Sequence, residues 1–132
     1  MGETFQKSER LCSIKTIAML FDNGNIFYSP MFKIVWIKNT VRTSFPAQVA
    51  FSVSKKGFRK AVDRNMIKRR IREAYRLNKQ KLYDSLNSIN VQIAFIIIFR
   101  ENNIPDYQRI ERSISELLDK LIIAVRDNQI NC

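Results

Sequence analysis

The sequence predicts an α+β fold, arranged as a two-layer α/β sandwich with a four-stranded sheet and about three helices. Segments near both ends and in the middle of the chain repeat apolar residues at three- and four-residue steps, as helices packed on a core do. The segments between them are short and either rich in Phe, Ile and Val or alternating, as strands are. Because 132 residues can bury one core and no linker or repeat interrupts the pattern, we predict a single domain over residues 1–132, with residues 1–7 as a flexible N-terminus.

The first half of the chain predicts a helix followed by strands. Asn23 and Gly24 end a helical pattern over residues 8–21. The apolar positions of this pattern are Leu11, Ile14, Ile17, Ala18 and Phe21. Residues 31–37 are predicted as a strand, and a further strand that starts near Phe27 would pair with it as a hairpin.

The second half predicts two more strands and two helices. Residues 48–55 alternate apolar and polar side chains, which indicates a strand with one buried face and one accessible face that carries Ser52 and Ser54. A turn at Gly57 leads into a helix over residues 61–78. Residues 91–99 are almost all apolar and therefore predict an interior strand. A last helix of about twenty residues carries an apolar stripe that is typical of a core-facing surface. The stripe consists of Ile110, Ile114, Leu117, Leu118, Leu121 and Ile122.

Positive charge is concentrated in the middle of the chain. The protein has 23 Lys and Arg against 12 Asp and Glu, a formal net charge of +11. Residues 55–81 contain twelve basic residues and only two acidic ones, Asp63 and Glu73, so this segment alone carries +10. A helix surface that is merely solvated mixes both signs, whereas a phosphate-binding surface favours one. We therefore predict that this segment binds a polyanion.

The helix predicted over residues 61–78 separates its charges from its apolar side. At about 100° per residue, the apolar side groups Ile67, Ile71, Ala74 and Asn78, with Tyr75 at its border. An arc of about 140° beside it holds Arg64, Asn65, Lys68, Arg69, Arg72 and Arg76. Arg70 and Met66 fall outside this arc and are interpreted as a solvated charge and a packing residue. Guanidinium groups suit phosphate oxygens, so the arc is the predicted binding face.

The sequence offers little chemistry for a protein catalyst. It has no His and only three Gly, and its carboxylates are scattered, so no acid–base pair, carboxylate metal cluster or phosphate loop is predicted. Cys12 and Cys132 lie near opposite ends without a CxxC pattern, so neither a disulfide framework nor a zinc site is expected. Charged residues stand where a signal peptide needs an apolar run, and no apolar stretch is long enough to span a bilayer. We therefore expect a cytoplasmic protein.

The strand, turn and helix over residues 51–76 resemble those of the bacterial ribonuclease P protein family. The matching strand reads Phe51-Ser52-Val53-Ser54-Lys55-Lys56. The matching helix reads Arg64-Asn65-Met66-Ile67-Lys68-Arg69, which is similar to the family's Arg-Asn-Arg-x-Lys-Arg motif. The resemblance covers most of the chain, more weakly backward through Phe21, Gly24 and Phe32 and forward to Phe99 and Arg100.

This resemblance implies a fold and a function. It implies a left-handed strand–helix–strand crossover, which the usual right-handed preference would not suggest. It also implies an accessory subunit of the endoribonuclease ribonuclease P, which removes the 5′ leader of precursor tRNA while the RNA subunit carries out catalysis. Mg²⁺ is then expected in the RNA–protein holoenzyme, and no cofactor or metal is expected on the protein itself.

Two binding surfaces follow from the resemblance. The residues implied to bind the catalytic RNA are Lys55, Lys56, Arg64, Asn65, Lys68, Arg69, Arg72 and Arg76. A cleft between the first helix and the sheet is implied to hold the leader of precursor tRNA, with Phe21, Ser52, Ser54 and Arg100 as candidate residues. Charge, a flat apolar side chain and small polar groups can bind a single strand without demanding a base sequence. The alternatives are that the serines are ordinary strand hydroxyls, that Phe21 is a core residue, and that Arg100 only marks the end of a strand.

The sequence departs from the family pattern in several places. Met66 stands where the motif has a basic residue, and Arg70 and Arg72 are expected to compensate for it. One extra residue lies in the turn before the basic helix. Ile17 and Val35 stand where the family has aromatic residues. The resemblance therefore supports aromatic stacking on the leader less strongly than it supports the RNA contacts of the basic helix.

Two other functions remain open at this point. A ribosomal or other structural RNA-binding protein could use the same basic helix without any role in cleavage. A basic amphipathic helix could instead bind an anionic membrane or a calmodulin-type partner, although its narrow apolar stripe continues a globular pattern and disfavours this. Reconstitution with the catalytic RNA tests the first alternative. Co-sedimentation with liposomes tests the second.

Overall fold

The structure, a computed structural model, describes residue 5 and residues 7–11, 13–39 and 43–130. Cys12 and Cys132, and residues 1–4 and 6 of the predicted flexible N-terminus, lie outside the described residues, so the flexible N-terminus stays a prediction. A short 3₁₀ turn, Lys7–Glu9, precedes the main elements. These are α1 (Ile14–Asn23), β1 (Asn25–Ser29), β2 (Phe32–Lys38), β3 (Ala47–Val53), α2 (Ala61–Ser88), β4 (Ile93–Phe99) and α3 (Tyr107–Ile130).

The strands form one mixed sheet in the order β1-β2-β4-β3. β2 lies antiparallel to both β1 and β4, whereas β3 runs parallel to β4. Parallel neighbours need a crossover connection, and α2 provides it between β3 and β4. The predicted α+β fold, with four strands and three helices in the described part of the chain, is confirmed. The left hand of the crossover stays a prediction of the family resemblance.

Two apolar clusters, one on each face of the sheet, hold the fold together. The larger lies under α2 and α3 and contains Phe32, Phe95 and Ile97, all fully buried. The smaller lies under α1, where Leu20 packs with Val35. Because β4 contributes side chains to both clusters, its near-complete burial confirms the interior strand predicted from its apolar run.

The first helix begins later than predicted and buries a different side chain. The Ser13 Oγ accepts a hydrogen bond from the backbone N–H of Thr16 at 3.2 Å, so the helix starts at Ile14 and not near residue 8. Leu20 is the buried residue of α1, whereas Ile14 and Phe21 are exposed. The predicted apolar stripe of this helix was therefore wrong in its orientation.

Residues 7–11 run along the outer edge of β3. Arg10 forms a parallel bridge with Val49, and the backbone N–H of Leu11 donates to the Val49 carbonyl at 2.9 Å. The predicted helical pattern had assigned part of this segment to α1. The segment instead satisfies backbone groups of the sheet edge. We call Phe5 together with residues 7–11 the N-terminal strap.

α2 ends at Ser88 and not at Asn78 as predicted. Buried residues continue beyond the predicted end, to Leu86. The helix finishes in a Schellman motif: Asn90 adopts a left-handed φ of 55°, and the backbone N–H of Val91 donates to the Leu86 carbonyl at 3.1 Å. The helix thus continues ten residues beyond its predicted end and past the basic arc.

A tight turn through Pro30 and Met31 joins β1 to β2. Met31 has a φ of 72°, in the left-handed region that side chains rarely adopt, and its side chain is buried in the larger cluster. The Ser113 Oγ donates to the Pro30 carbonyl at 2.5 Å, and the backbone N–H of Arg100 donates to the Met31 carbonyl at 2.8 Å. The turn therefore fixes the start of the segment that follows β4.

Candidate nucleic-acid interface

The N-terminal half of α2 has a buried side and an exposed side, as its helical spacing predicts. Ile67, Ile71 and Ala74 are fully buried against the sheet and α3. Asn65 and Arg69 are exposed. The apolar side anchors the helix in the core, so the polar arc faces solvent on a rigid element.

Three cations of this arc are open to an external anion: Lys68, Arg69 and Arg72. Arg69 and Arg72 are exposed and Lys68 is half-buried. Within the described part of the chain, the side chains of all three lack hydrogen bonds and salt bridges. A charged group that is not already paired can exchange water for phosphate oxygens without breaking an internal contact. We call these three residues the open cations.

Arg64 and Arg76 belong to the same arc but already hold internal partners. Arg64 Nη1 donates to the carbonyls of Phe58 and Arg59 at 2.7 and 3.1 Å, which fixes the loop before α2. Arg76 Nη2 lies 2.5 Å from Glu73 Oε1 in a salt bridge. A guanidinium has five donors, so Arg64 can bind the loop and still offer N–H groups to a ligand.

The hydrogen bond from Arg76 to Glu73 lowers the pKa of that carboxyl below its ordinary value, against a smaller opposing effect of burial. Glu73 is therefore ionised at neutral pH. A negative charge beside Arg76 weakens its attraction for phosphate. The arc is strongest where the open cations lie and weaker toward Arg76.

Arg70 lies off the arc, and its surroundings differ from the predicted ones. It is half-buried, and its Nη1 donates to the carbonyl of Pro105 at 2.8 Å, in the loop before α3. The interpretation as a solvated charge was therefore wrong. The Nη1 of Arg70 is directed to Pro105, whereas Arg72 is exposed on the arc, so the compensation for Met66 stays a prediction.

The turn before α2 holds two further predicted cations. Lys55 and Lys56 are both exposed. The Ser54 Oγ accepts from the backbone N–H of Lys56 at 3.1 Å, so this hydroxyl shapes the turn. A shallow depression of about 290 Å³ is lined by Ser54, Lys56 and Arg100, among others. The structure thus brings two of the predicted leader residues, Ser54 and Arg100, to one place.

A second depression, of about 210 Å³, lies between α2, β3 and the N-terminal strap. Its rim carries Arg10, Lys68 and Arg72, and its lining includes the rings of Phe5 and Phe51. Cations around a partly apolar floor suit a nucleic-acid strand, whose phosphates and bases need both. The sequence did not indicate Phe5 or Arg10 as site residues, because their place beside α2 depends on the path of the strap.

The remaining leader candidates lie on or near the sheet face that α1 covers. Ser52 is exposed at the end of β3, on the side opposite the larger core cluster. Phe21 projects from α1 and is 66% exposed, so it is not a core residue. Gly24 allows α1 to lie close to this face, because a Cβ there would stand 2.4 Å from Val35 Cγ1. Ser52 and Phe21 are thus both accessible, on different elements.

The N-terminal strap is fixed to α2 by a buried polar cluster. Glu9 is fully buried and forms a salt bridge with Lys79, which is also buried. The Tyr83 hydroxyl donates to Glu9 Oε1 at 2.6 Å, and burial raises the pKa of Tyr83 far above its ordinary value, so it stays a donor. Although Lys79 lies on the angular sector of the predicted arc, it is not available to a ligand. The strap therefore limits the basic face to the N-terminal half of α2.

The helices in the described part of the chain include none that is long and apolar enough to cross a membrane. Among the same residues, His, Cys, Asp and Glu form no group of three or more that could hold a metal ion.

Comparison with known proteins gives consistent matches. The family model Ribonuclease P matches residues 5–122. A ribonuclease P protein component from Porphyromonas gingivalis is 37% identical over 117 residues, covering 87% of this chain and 84% of the relative. Another from Chlorobium phaeobacteroides is 34% identical over 128 residues, covering 89% and 88%.

Solved structures match in fold. The ribonuclease P protein of Staphylococcus aureus aligns with a TM-score of 0.70 at 23% identity and covers 87% of this chain and 96% of its own. That of Thermotoga maritima aligns with a TM-score of 0.65 at 23% identity, covering 85% and 96%.

Fold, charge and matches define an RNA-binding protein of the α+β class that acts in tRNA processing. The chain belongs to the ribonuclease P protein component family. The resemblance seen in the sequence is confirmed at this level, and family membership implies an RNA partner.

Proposed function

We propose that this chain is the protein subunit of ribonuclease P, which binds the catalytic RNA through α2 and the 5′ leader of precursor tRNA in a cleft beside α1. In this role it assists the endonucleolytic removal of the leader, while the RNA subunit carries out the cleavage. The enzyme would act in the cytoplasm. The proposal rests on family membership together with one structural observation, the open cations.

The open cations support docking on RNA. Lys68, Arg69 and Arg72 stand on a helix whose opposite side is fixed in the core, so their backbone positions are set before the RNA arrives. Their charges would replace condensed counterions on the RNA, which favours binding at low salt. Asn65, Lys55 and Lys56 extend this surface toward the turn before α2, and Arg64 and Arg76 contribute at its two ends.

Leader binding is supported by the chemistry of the α1 face. Phe21 offers an exposed ring, Arg100 a cation, and Ser52 and Ser54 small hydroxyls. Stacking and charge are tolerant of base sequence, which suits leaders that differ from one precursor to the next. The second strand contributes Val35 and no ring under α1, so Phe21 would supply most of the aromatic contact on this helix.

Magnesium would enter through the RNA. The protein's part would be to reduce repulsion between two polyanions and so lower the Mg²⁺ concentration that productive substrate binding needs. The sequence contains no His, which agrees with a reaction in which the RNA and its metal ions activate the water.

Reconstitution tests the proposal. Purified protein is added to the cognate catalytic RNA, and the cleavage of precursor tRNA is measured at low Mg²⁺ with and without protein. We expect a large increase in kcat/KM for precursor tRNA with protein. A variant with Lys68, Arg69 and Arg72 all changed to Ala, but with normal thermal unfolding, should lose most of the increase. A protein that binds RNA but gives no increase would instead be a structural RNA-binding protein.

A further inference from the structure

A strip of four side chains crosses the sheet just beyond the part of the face that α1 covers. Strand pairing sets Tyr28 opposite Lys33, Lys33 opposite Ile98, and Ile98 opposite Ser52. All four point away from the larger core cluster, because their strand neighbours contribute to that cluster. At about 4.8 Å between strands, the strip is about 14 Å long.

This strip is more open than the middle of the parallel row beside it. In that row Val35 and Ile96 are buried under α1, although Ile26 at its β1 end is exposed. In the strip, Tyr28 is 54% exposed and Ser52 is exposed, with Lys33 and Ile98 half-buried. A ligand that lies along the edge of α1 would therefore contact the strip.

Arg100 stacks on Tyr28 at one end of the strip. The guanidinium carbon of Arg100 lies 4.7 Å from the centre of the Tyr28 ring. Its backbone is fixed by the hydrogen bond to the Met31 carbonyl at 2.8 Å, so the pair is held by the hairpin turn. The neighbouring carboxylate, Glu101, lies 3.8 Å from Arg109 instead. In the described part of the chain, the Arg100 side chain has no salt bridge or hydrogen bond.

An exposed ring with a guanidinium stacked on it is a suitable surface for a nucleobase. Guanidinium groups and aromatic rings both stack on bases, and such stacking tolerates any base. Lys33, on the adjacent strand, supplies a charge for the phosphate next to that base. The strip therefore combines an aromatic ring, a cation and an apolar side chain in one row, and it contains no carboxylate.

We propose that Tyr28 and Arg100 form a stacking platform for one base of the 5′ leader, with Lys33 binding the adjacent phosphate. This inference rests on the proposed function and deepens it, since it names residues on β1 and β2 that take part in leader recognition. Tyr28 lies on β1, at the opposite edge of the sheet from β3 and the turn that carries Lys55 and Lys56, so its loss should affect substrate binding and leave assembly with the catalytic RNA unchanged.

Double-mutant analysis with abasic leaders tests the platform. The equilibrium affinity of the holoenzyme for precursor tRNA is measured with leaders in which one nucleotide at a time lacks its base. We expect Tyr28→Leu to weaken binding of the intact precursor about tenfold, a typical effect of losing one base stack. At one leader position, removal of the base should weaken wild-type binding as much as Tyr28→Leu does. The same removal should not weaken the binding of Tyr28→Leu further. Tyr28→Phe keeps the ring and should bind as wild type does.

Controls separate the platform from folding and from the proposed function. Tyr28→Leu should keep wild-type thermal unfolding, affinity for the catalytic RNA and affinity for mature tRNA; equal losses for precursor and mature tRNA would overturn the platform. The platform would also be overturned if the loss of affinity from Tyr28→Leu and the loss from base removal were additive at every leader position. Wild-type holoenzyme that shows no preference for precursor over mature tRNA would contradict the proposed function itself. If Tyr28→Leu kept the full wild-type preference for precursor over mature tRNA, the platform would be overturned and the proposed function would stand.

Discussion

Two neighbouring arginines of α2 have opposite surroundings. Arg69 is exposed and is one of the open cations, whereas Arg70 is half-buried and donates to the Pro105 carbonyl at 2.8 Å. Their side chains have the same charge and helix propensity. A comparison of the two therefore separates phosphate contact from local structure.

Replacing Arg69 with Ala should reduce the dependence of RNA affinity on salt. Each phosphate contact releases about one counterion, so the slope of log affinity against log salt should flatten by about one unit. Arg70→Ala should leave the slope unchanged and lower the free energy of unfolding by about 1 kcal/mol, through its lost hydrogen bond. The measurement is binding of the catalytic RNA over a range of KCl concentrations. An unchanged slope for Arg69→Ala would remove this residue from the contact set.

Glu73 is expected to restrain the basic arc. Its lowered pKa means that the carboxylate favours the folded protein above its ordinary pKa, and that this contribution is lost as the pH falls through the lowered value. Glu73→Gln removes the charge at neutral pH, so binding of the catalytic RNA should become several-fold tighter at low salt. The double variant Glu73→Gln, Arg76→Ala should show no such gain. Equal affinity of Glu73→Gln and wild type would mean that Arg76 lies outside the interface.

Phe21 provides a test of the leader cleft on the helix side. Because its ring is 66% exposed, Phe21→Ala should leave the stability of the protein nearly unchanged. It should weaken the binding of precursor tRNA and not that of mature tRNA, measured with the holoenzyme. Equal weakening for both would indicate that the ring acts on folding or on assembly with the RNA.

At the scale of elements, the strap and α2 depend on each other. Glu9 and Lys79 form a salt bridge in which both side chains are buried. Removing one partner of such a pair leaves a buried charge without compensation, which costs more than the pair itself contributes. The position of the strap, and hence the edge of the basic face, therefore depends on this pair.

Glu9→Gln should lower the free energy of unfolding by about 3 to 5 kcal/mol, measured by urea denaturation. Replacing both partners, as in Glu9→Gln with Lys79→Met, should restore much of this loss, because no buried charge remains. Glu101→Gln serves as the matched control, since its bridge to Arg109 is surface-exposed and should contribute less than about 1 kcal/mol. A loss for Glu9→Gln as small as that of the control would contradict the role of the pair.

Element types could be predicted from the sequence, but several boundaries could not. The buried side of α2 follows from helical spacing alone, and so does the interior character of β4. The end of α2 was predicted at Asn78, but the helix continues through Lys79, a charged residue that is buried with Glu9 as its salt-bridge partner. The apolar side of α1 was also predicted wrongly. Leu11 was counted as a helical position, whereas its backbone pairs with β3.

At the scale of the whole molecule, the sequence predicted the class of fold and the family but not the arrangement of the strands. Periodicity shows which residues face a core, and it carries no information about which strands are neighbours. The parallel pairing of β3 with β4 places Ser54 near Arg100, two residues far apart in the chain. The site on the α1 face is assembled by this pairing and by the β1–β2 register, which is why Tyr28 and Lys33 were not indicated by sequence.

The bridge between Arg10 and Val49 also affects how the protein behaves in concentrated solution. A bare strand edge can pair with the edge of another molecule, and such pairing is a common start of aggregation. Here the strap occupies the backbone groups of β3 at Val49. Shortening the protein to begin after Leu11 would uncover that edge, so a truncated form designed for easier handling would be more prone to self-association than the full chain.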